Sequence, residues 1–414
     1  MDTTKKLTYD DIKHPISLGH RAFVDNKFAH YQWLREEAPV YKGKVTFFNA
    51  YFVSRYEDCL LVLKDPRFVR NLSTAGGRRY PIPLPKTLKL LLESMINEDG
   101  DKHRRLRTLV HKAFTPRAIR KLEGRIESLT HELLDQAEIL WDAQEGQVDL
   151  MQAYALPIPV TVIGEMVGVQ DEDMGSLQEG ISTLIQGLSG WKAIPTLVWY
   201  FPRLVKLTRR LIAQKRVNPA DDILSGLIQA SIEGDRLTED ELVAMVFLLI
   251  LAGYETTVHL ITNSVATLLQ HPEQLAKLRA DPELMPSAVE EILRFSGPVH
   301  ATERCYTTED ITLHGVTIPK GELVFPLLGA ANRDPAVFDN PDTFDITRTP
   351  NNHLGFGQGI HYCLGAPLAR IETQIALKTL LDRNPNLRLA APEALRFTTV
   401  PGFRSYERLP VVLG

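Results

Sequence analysis

The chain has 414 residues, of which 44% are hydrophobic and 24% charged, and a formal net charge of −4. This composition excludes a disordered chain and lacks the basic excess of a nucleic-acid-binding protein. Three cysteines, Cys59, Cys305 and Cys363, are too few for a disulfide framework and are not spaced as a C-x-x-C site, which points to a reducing compartment.

The first residues, Met1 to Lys6, lack the apolar stretch of a signal peptide. No linker, repeat or low-complexity block interrupts the chain, so one domain over 1–414 is expected. Short strands at 40–44 and 51–54 read as a hairpin. Apolar residues at three- and four-residue spacings then predict helices over 102–114, 117–141, 203–216, 221–233, 239–270, 272–280, 287–295 and 366–381. Thr238-x-x-Glu241 is a capping box at the head of the longest, and Pro272 marks its end. Strand signals recur at 304–306, 311–313, 316–318 and 322–326. The longest apolar run, 242–254, is about 13 residues, short of the roughly 20 that cross a bilayer. The expected fold is mainly α with a small β part and no membrane span.

Residues 332–365 are rich in Pro, Gly, Asn and Asp and have no periodicity; a loop this long inside a compact domain usually serves function. It ends in Phe356-Gly357-Gln358-Gly359-Ile360-His361-Tyr362-Cys363-Leu364-Gly365-Ala366-Pro367-Leu368-Ala369-Arg370, a glycine-punctuated turn that places one cysteine just before a helix. The helix start and its free N–H groups favour a thiolate there. Phe356 offers an apolar wall, and Pro367 suits a first helical turn. By itself this is also compatible with a buried structural cysteine. The stretch, however, resembles the haem-binding loop of cytochrome P450s, F-x-x-G-x-H-x-C-x-G-x-x-L-A-R, at every fixed position.

The resemblance implies the P450 fold: a long central helix over a buried haem, with the cysteine loop before the last long helix. It implies Cys363 as the metal ligand of haem b, with Phe356, Gly357 and Gly365 around it and N–H groups of Leu364 and Gly365 toward the sulfur. In the central helix, Ala252-Gly253-Tyr254-Glu255-Thr256-Thr257 places Leu249, Ala252, Gly253 and Thr256 on one face, with the Thr256 hydroxyl in reach of the Ala252 carbonyl. A core helix with a small-residue packing site reads the same way. The segment is similar to the P450 oxygen-activation motif, which implies Glu255 and Thr256 as the proton-delivering pair.

By the same resemblance, His103, Arg107, Arg304 and His361 contact the haem propionates. Glu291, Arg294 and Arg348 form a structural triad that braces the cysteine loop. Leu88, Leu184, Val246, Leu249, Val299 and Phe403 line a largely apolar substrate pocket, with Trp191 and 198–201 as an aromatic lid or as ordinary packing. Arg104, Arg105, Lys112 and Arg370 offer a basic patch for an acidic ferredoxin.

The implied function is a monomeric, cytoplasmic monooxygenase. It inserts one oxygen atom from O2 into a hydrophobic small molecule, with electrons from a ferredoxin and its NAD(P)H-dependent reductase. A peroxide-driven peroxygenase and a non-catalytic haem carrier are the alternatives.

Overall fold

The structure is a computed structural model that describes residues 6–76, 94–115, 119–143, 146–170, 174–175, 201–233, 237–301 and 304–414. The first part holds helices α1 (Arg21–Asp25) and α2 (Lys27–Glu37), strands β1 (Val40–Val45) and β2 (Phe48–Val53), α3 (Tyr56–Lys64), β3 (Phe68–Val69) and α4 (Leu72–Gly76). Next come α5 (Gly100–Ala113), α6 (Glu123–Ala143), β4 (Val148–Asp149), α7 (Pro157–Met166), α8 (Phe201–Val217) and α9 (Ile223–Glu233). Then follow α10 (Glu239–Gln270), α11 (Pro272–Ala280), α12 (Met285–Ser296), β5 (Cys305–Thr307), β6 (Ile311–Leu313), β7 (Val316–Ile318), β8 (Leu323–Pro326) and α13 (Leu328–Ala331). The last elements are α14 (Ala366–Arg383), β9 (Arg388–Leu389) and β10 (Pro410–Val412).

The central helix α10 has the bounds its periodicity predicts. Thr238 Oγ1 accepts from Glu241 N–H (3.1 Å) and Glu241 Oε2 accepts from Thr238 N–H (2.9 Å), the reciprocal cap expected of Ser/Thr-x-x-Glu. The helix runs on past the apolar stretch through Glu255, Thr256 and Thr257 for 32 residues. By length and composition alone it would cross a membrane, but 56% of its most apolar 18-residue window is buried, against α7, α8, α12 and α14.

Five strands form a sheet in the order β1-β2-β8-β5-β3, in which only the β2–β8 pair is parallel. A second sheet is β4-β10-β9, and β6 pairs with β7. A helical core of α5–α12 and α14 is flanked by two smaller apolar clusters that join α1–α3 to the five-stranded sheet. The 332–365 loop is irregular except for one short turn, Gly359–His361, and lies where these parts meet.

Helices α1–α4 and α7 escaped the sequence reading for identifiable reasons. The buried side of α2 includes Lys27, His30 and Arg35, so polar residues break its amphipathic stripe. Seven of the ten residues of α7 are buried, which leaves an apolar run with no helical period.

Candidate functional site

Cys363 sits three residues ahead of Ala366, where α14 begins with Pro367 in its first turn. Its N–H donates to Phe356 O (2.9 Å), closing the loop on itself. Gly359 adopts φ +74°, and a Cβ there would collide with the Leu63 carbonyl of α3, so only glycine allows the loop to lie this close. A Cβ on Gly365 would stand 3.9 Å from Cys363 Sγ, whereas at Gly357 it would meet nothing. Cys59 and Cys305 are buried, and Cys363 is only half-buried. Burial pushes the Cys59 thiol well up, and its Sγ is spent on the Val53 carbonyl (3.2 Å). Cys363 is therefore the one reachable sulfur of the three. Among the described residues no group of three or more His, Cys, Asp or Glu side chains could hold a metal.

Beside the sulfur lies a cluster of bases. Helix α5 presents His103 and Arg107 on one face; Arg107 donates to Tyr362 O (2.6 Å), and the His103 and His361 rings lie 4.3 Å apart. Burial, Arg70, His103 and Arg107 together push His361 down to about 2. Burial and Arg107 also lower His103. Asp99, near His103, is occupied by the N–H groups of Arg70 and Asn71 (2.8–3.0 Å). Nε2 of His103 and Nε2 of His361 are both buried with no partner. Two unpartnered ring nitrogens amid arginines leave a hydrogen-bonding, positively biased site, and the carboxylates of a haem fit it. Arg304 donates to Asn97 Oδ1 (3.0 Å) on the adjoining segment. Its carbonyl accepts from Arg70 (3.0 Å), an arginine that the sequence reading did not single out.

Along α10, Thr256 Oγ1 donates to Ala252 O (2.8 Å), the back-bond expected from the sequence. Ala252 is exposed, and Leu249 and Thr256 are half-buried, so these three share an accessible line. Gly253 is half-buried as well, and a Cβ there would collide with Ile163 of α7, so this glycine admits a neighbouring helix. Val246, expected in the pocket, is fully buried. Glu255 lies 3.8 Å from His259 one turn on, and Nδ1 of His259 is buried without a partner.

Glu372 of α14 was not singled out by the sequence. It is 1% exposed and has no partner on Oε1. Burial pushes it up to about 8, against the opposing hydrogen bond from Thr257, which follows Thr256. Between the ordinary carboxylate range and about pH 8 the unfolded chain has released this proton while the folded one keeps it, so stability falls as pH rises through that window. Glu372→Gln should flatten the pH dependence of the thermal midpoint between pH 5 and 8 and raise it at the alkaline end. An unchanged profile would show that Glu372 is already ionised in the folded state.

The brace expected from Glu291, Arg294 and Arg348 is present. Arg294 grips Glu291 with two bonds (2.7 and 2.8 Å), both side chains fully buried. Arg348 Nε adds two at 3.2 Å, and Asn351 another at 3.1 Å. Arg294 also donates to the carbonyls of Asn332, Pro341 and Thr343 (2.7–3.0 Å), which ties the 332–365 loop to α12. A second clamp was missed: Arg370 takes Glu290 bidentately (2.6 and 2.9 Å) and stacks on Phe356 at 4.5 Å. Burial alone would raise Glu290, but Arg370 and His353 outweigh it and hold it at about 2.

The expected basic patch is correspondingly smaller. Arg370 is committed to Glu290, Arg105 to Glu241, and Arg104 to the exposed Asp101 (2.9 Å), because each has a carboxylate within reach. Val299 and Phe403 form an isolated antiparallel bridge, which brings two of the expected pocket residues together. Leu88, Leu184, Trp191 and 198–200 lie outside the described residues.

The family model described as Cytochrome P450 matches residues 28–384. Cytochrome P450 107B1 of Saccharopolyspora erythraea is 42% identical over 400 residues, 94% of this chain and 96% of its own length. The solved structure of the Bacillus subtilis 168 bacillaene polyketide synthase cytochrome P450 PksS has a TM-score of 0.88 at 36% identity, covering 97% of this chain and all of that one. P450BioI, crystallised with an acyl carrier protein bearing hexadec-9Z-enoic acid, has a TM-score of 0.85 at 40% identity, covering 95% and 99%. The chain belongs to the cytochrome P450 family. It is a haem b-dependent monooxygenase that acts on hydrophobic small molecules with electrons from a redox partner.

Proposed function

We propose that this single-domain chain, 1–414, oxidises an extended apolar substrate with electrons from a ferredoxin and its NAD(P)H-dependent reductase in the cytoplasm. The observation that carries the site assignment is the pair of orphaned ring nitrogens on His103 and His361, set among arginines beside Cys363. In this reading His103, Arg107, Arg304 and His361 hold the two carboxylates, and Cys363 holds the iron. Phe356, pinned under Arg370, keeps water from the sulfur side, while Gly357 and Gly365 leave room for the cofactor's approach. Held there by Cys363, a haem would supply the dioxygen activation associated with thiolate ligation.

Thr256, fixed to the Ala252 carbonyl, positions its hydroxyl to relay a proton. Glu255 supplies that proton from beside His259. Ala252 and Leu249, on the open side of α10, face the cofactor and substrate, and Val299 and Phe403 close the pocket from the bridge they share. Solved relatives support the substrate class: one carries a sixteen-carbon acyl chain on a carrier protein and another belongs to polyketide assembly. Lys112 on α5 remains an exposed base that an acidic donor could meet.

Thr256→Ala tests the reading. Haem content should stay at the wild-type level, product per NAD(P)H consumed should fall by about tenfold or more, and hydrogen peroxide should accumulate. Unchanged coupling would remove Thr256 from proton delivery. Equal turnover with peroxide alone would favour a peroxygenase instead.

A further inference from the structure

Far along the chain from the cysteine loop, a cavity of about 200 Å³ opens between the segment preceding α1 and strand β1. Its lining includes Lys13, His14, Ser17, His20, His30 and Lys44, and no carboxylate. The walls are fastened: Leu18 N–H donates to Lys44 O (3.0 Å), Lys44 N–H to Ile16 O (2.8 Å), and Ile16 N–H to the Tyr41 hydroxyl (3.2 Å).

The hydrogen bonds determine which lining groups are spent. His14 Nε2–H donates to Tyr9 O (3.1 Å), which leaves its Nδ1 to accept from Tyr41 (2.8 Å). His30 Nδ1–H donates to Asn26 O (2.8 Å). His20 differs. Its Nδ1 accepts from Ala22 N–H (3.2 Å), so the ring proton is on Nε2. That Nε2–H lies 3.2 Å from Lys13 Nζ, and an ammonium has three donors and no acceptor. Two donors therefore meet at the exposed rim of the cavity, where neither can accept from the other. The neighbouring acids are engaged elsewhere, Asp25 with Arg21 (2.9 Å) and Asp11 with Thr8 (2.8 Å).

We infer that this cavity binds a phosphate-type oxyanion, which accepts from Lys13 Nζ and His20 Nε2–H together and is neutralised further by Lys44. One ligand oxygen between the two donors turns a repulsive contact into two charge-assisted hydrogen bonds. The same chemistry is offered by free phosphate and by an anionic lipid headgroup. Phe47 and Phe48, 90% and 69% exposed at the tip of the β1–β2 hairpin that carries Lys44, would suit the second source.

The test uses the haem-loaded protein in phosphate-free buffer. Inorganic phosphate should bind by calorimetry and raise the thermal midpoint at constant ionic strength. Lys13→Gln should weaken binding by about tenfold, as expected for loss of one charge-assisted contact. His20→Asp keeps a side-chain acceptor for Ala22 N–H and places a carboxylate against Lys13. It should abolish phosphate binding and, without phosphate, melt above the wild type. Sedimentation with phosphatidylglycerol rather than phosphatidylcholine vesicles, lost in both variants, would identify a lipid source. Binding to phosphate or vesicles that survives in both variants, or no binding to either probe, overturns the inference.

Discussion

Cys363→Ala is expected to abolish the carbon-monoxide difference band of thiolate-ligated haem while the chain stays folded. The loop is held by hydrogen bonds to its main chain and by a side-chain clamp. Its turn is set by Cys363 N–H on Phe356 O and by Arg107 on Tyr362 O, and its far end by the Arg370–Glu290 clamp. None of these involves Sγ, and the cysteine is only half-buried, so the side-chain loss leaves no large cavity. Far-ultraviolet circular dichroism should match the wild type, and haem retention should fall because the single protein ligand is gone. A band that persists in the alanine variant would place the ligand elsewhere.

Arg294→Leu should have the largest effect on stability, about 3–5 kcal/mol, the cost of leaving a buried charge without its partner. Glu291 would keep Arg348 and Asn351, yet it is fully buried and loses its two shortest bonds. The carbonyls of Asn332, Pro341 and Thr343 lose their donor in the same step, and these belong to the loop that leads to Cys363. Denaturant unfolding and haem occupancy should fall together. By contrast, Lys378→Ala at the exposed Lys378–Asp382 pair (66% and 62% exposed) should leave the unfolding midpoint nearly unchanged. A loss below about 1 kcal/mol for Arg294→Leu would show that the network is replaceable by packing.

What could be read without coordinates followed from locality. The capping box, the helical period of the 32-residue α10 and the cysteine loop each lie within one continuous stretch, where spacing translates into a face, a turn or a helix start. The back-bond from Thr256 to Ala252 was legible for the same reason. So was the Glu291–Arg294 contact, three residues apart on one helix.

Contacts between distant stretches were not legible. Arg70 disfavours a charged His361 across almost three hundred positions of sequence, Arg370 pairs with Glu290 rather than facing a redox partner, Gly253 makes room for Ile163, and Glu372 turns inward to Thr257. Each depends on which surface another element happens to cover, and no local period encodes that. The sequence by itself determined the long helix and the cysteine loop, because those rest on short-range stereochemistry, and the resemblance carried by that loop gave the class of chemistry. Only the tertiary structure decided which charges are spent, which carboxyl holds its proton and which donors still lack an acceptor, because burial and pairing arise when remote segments pack.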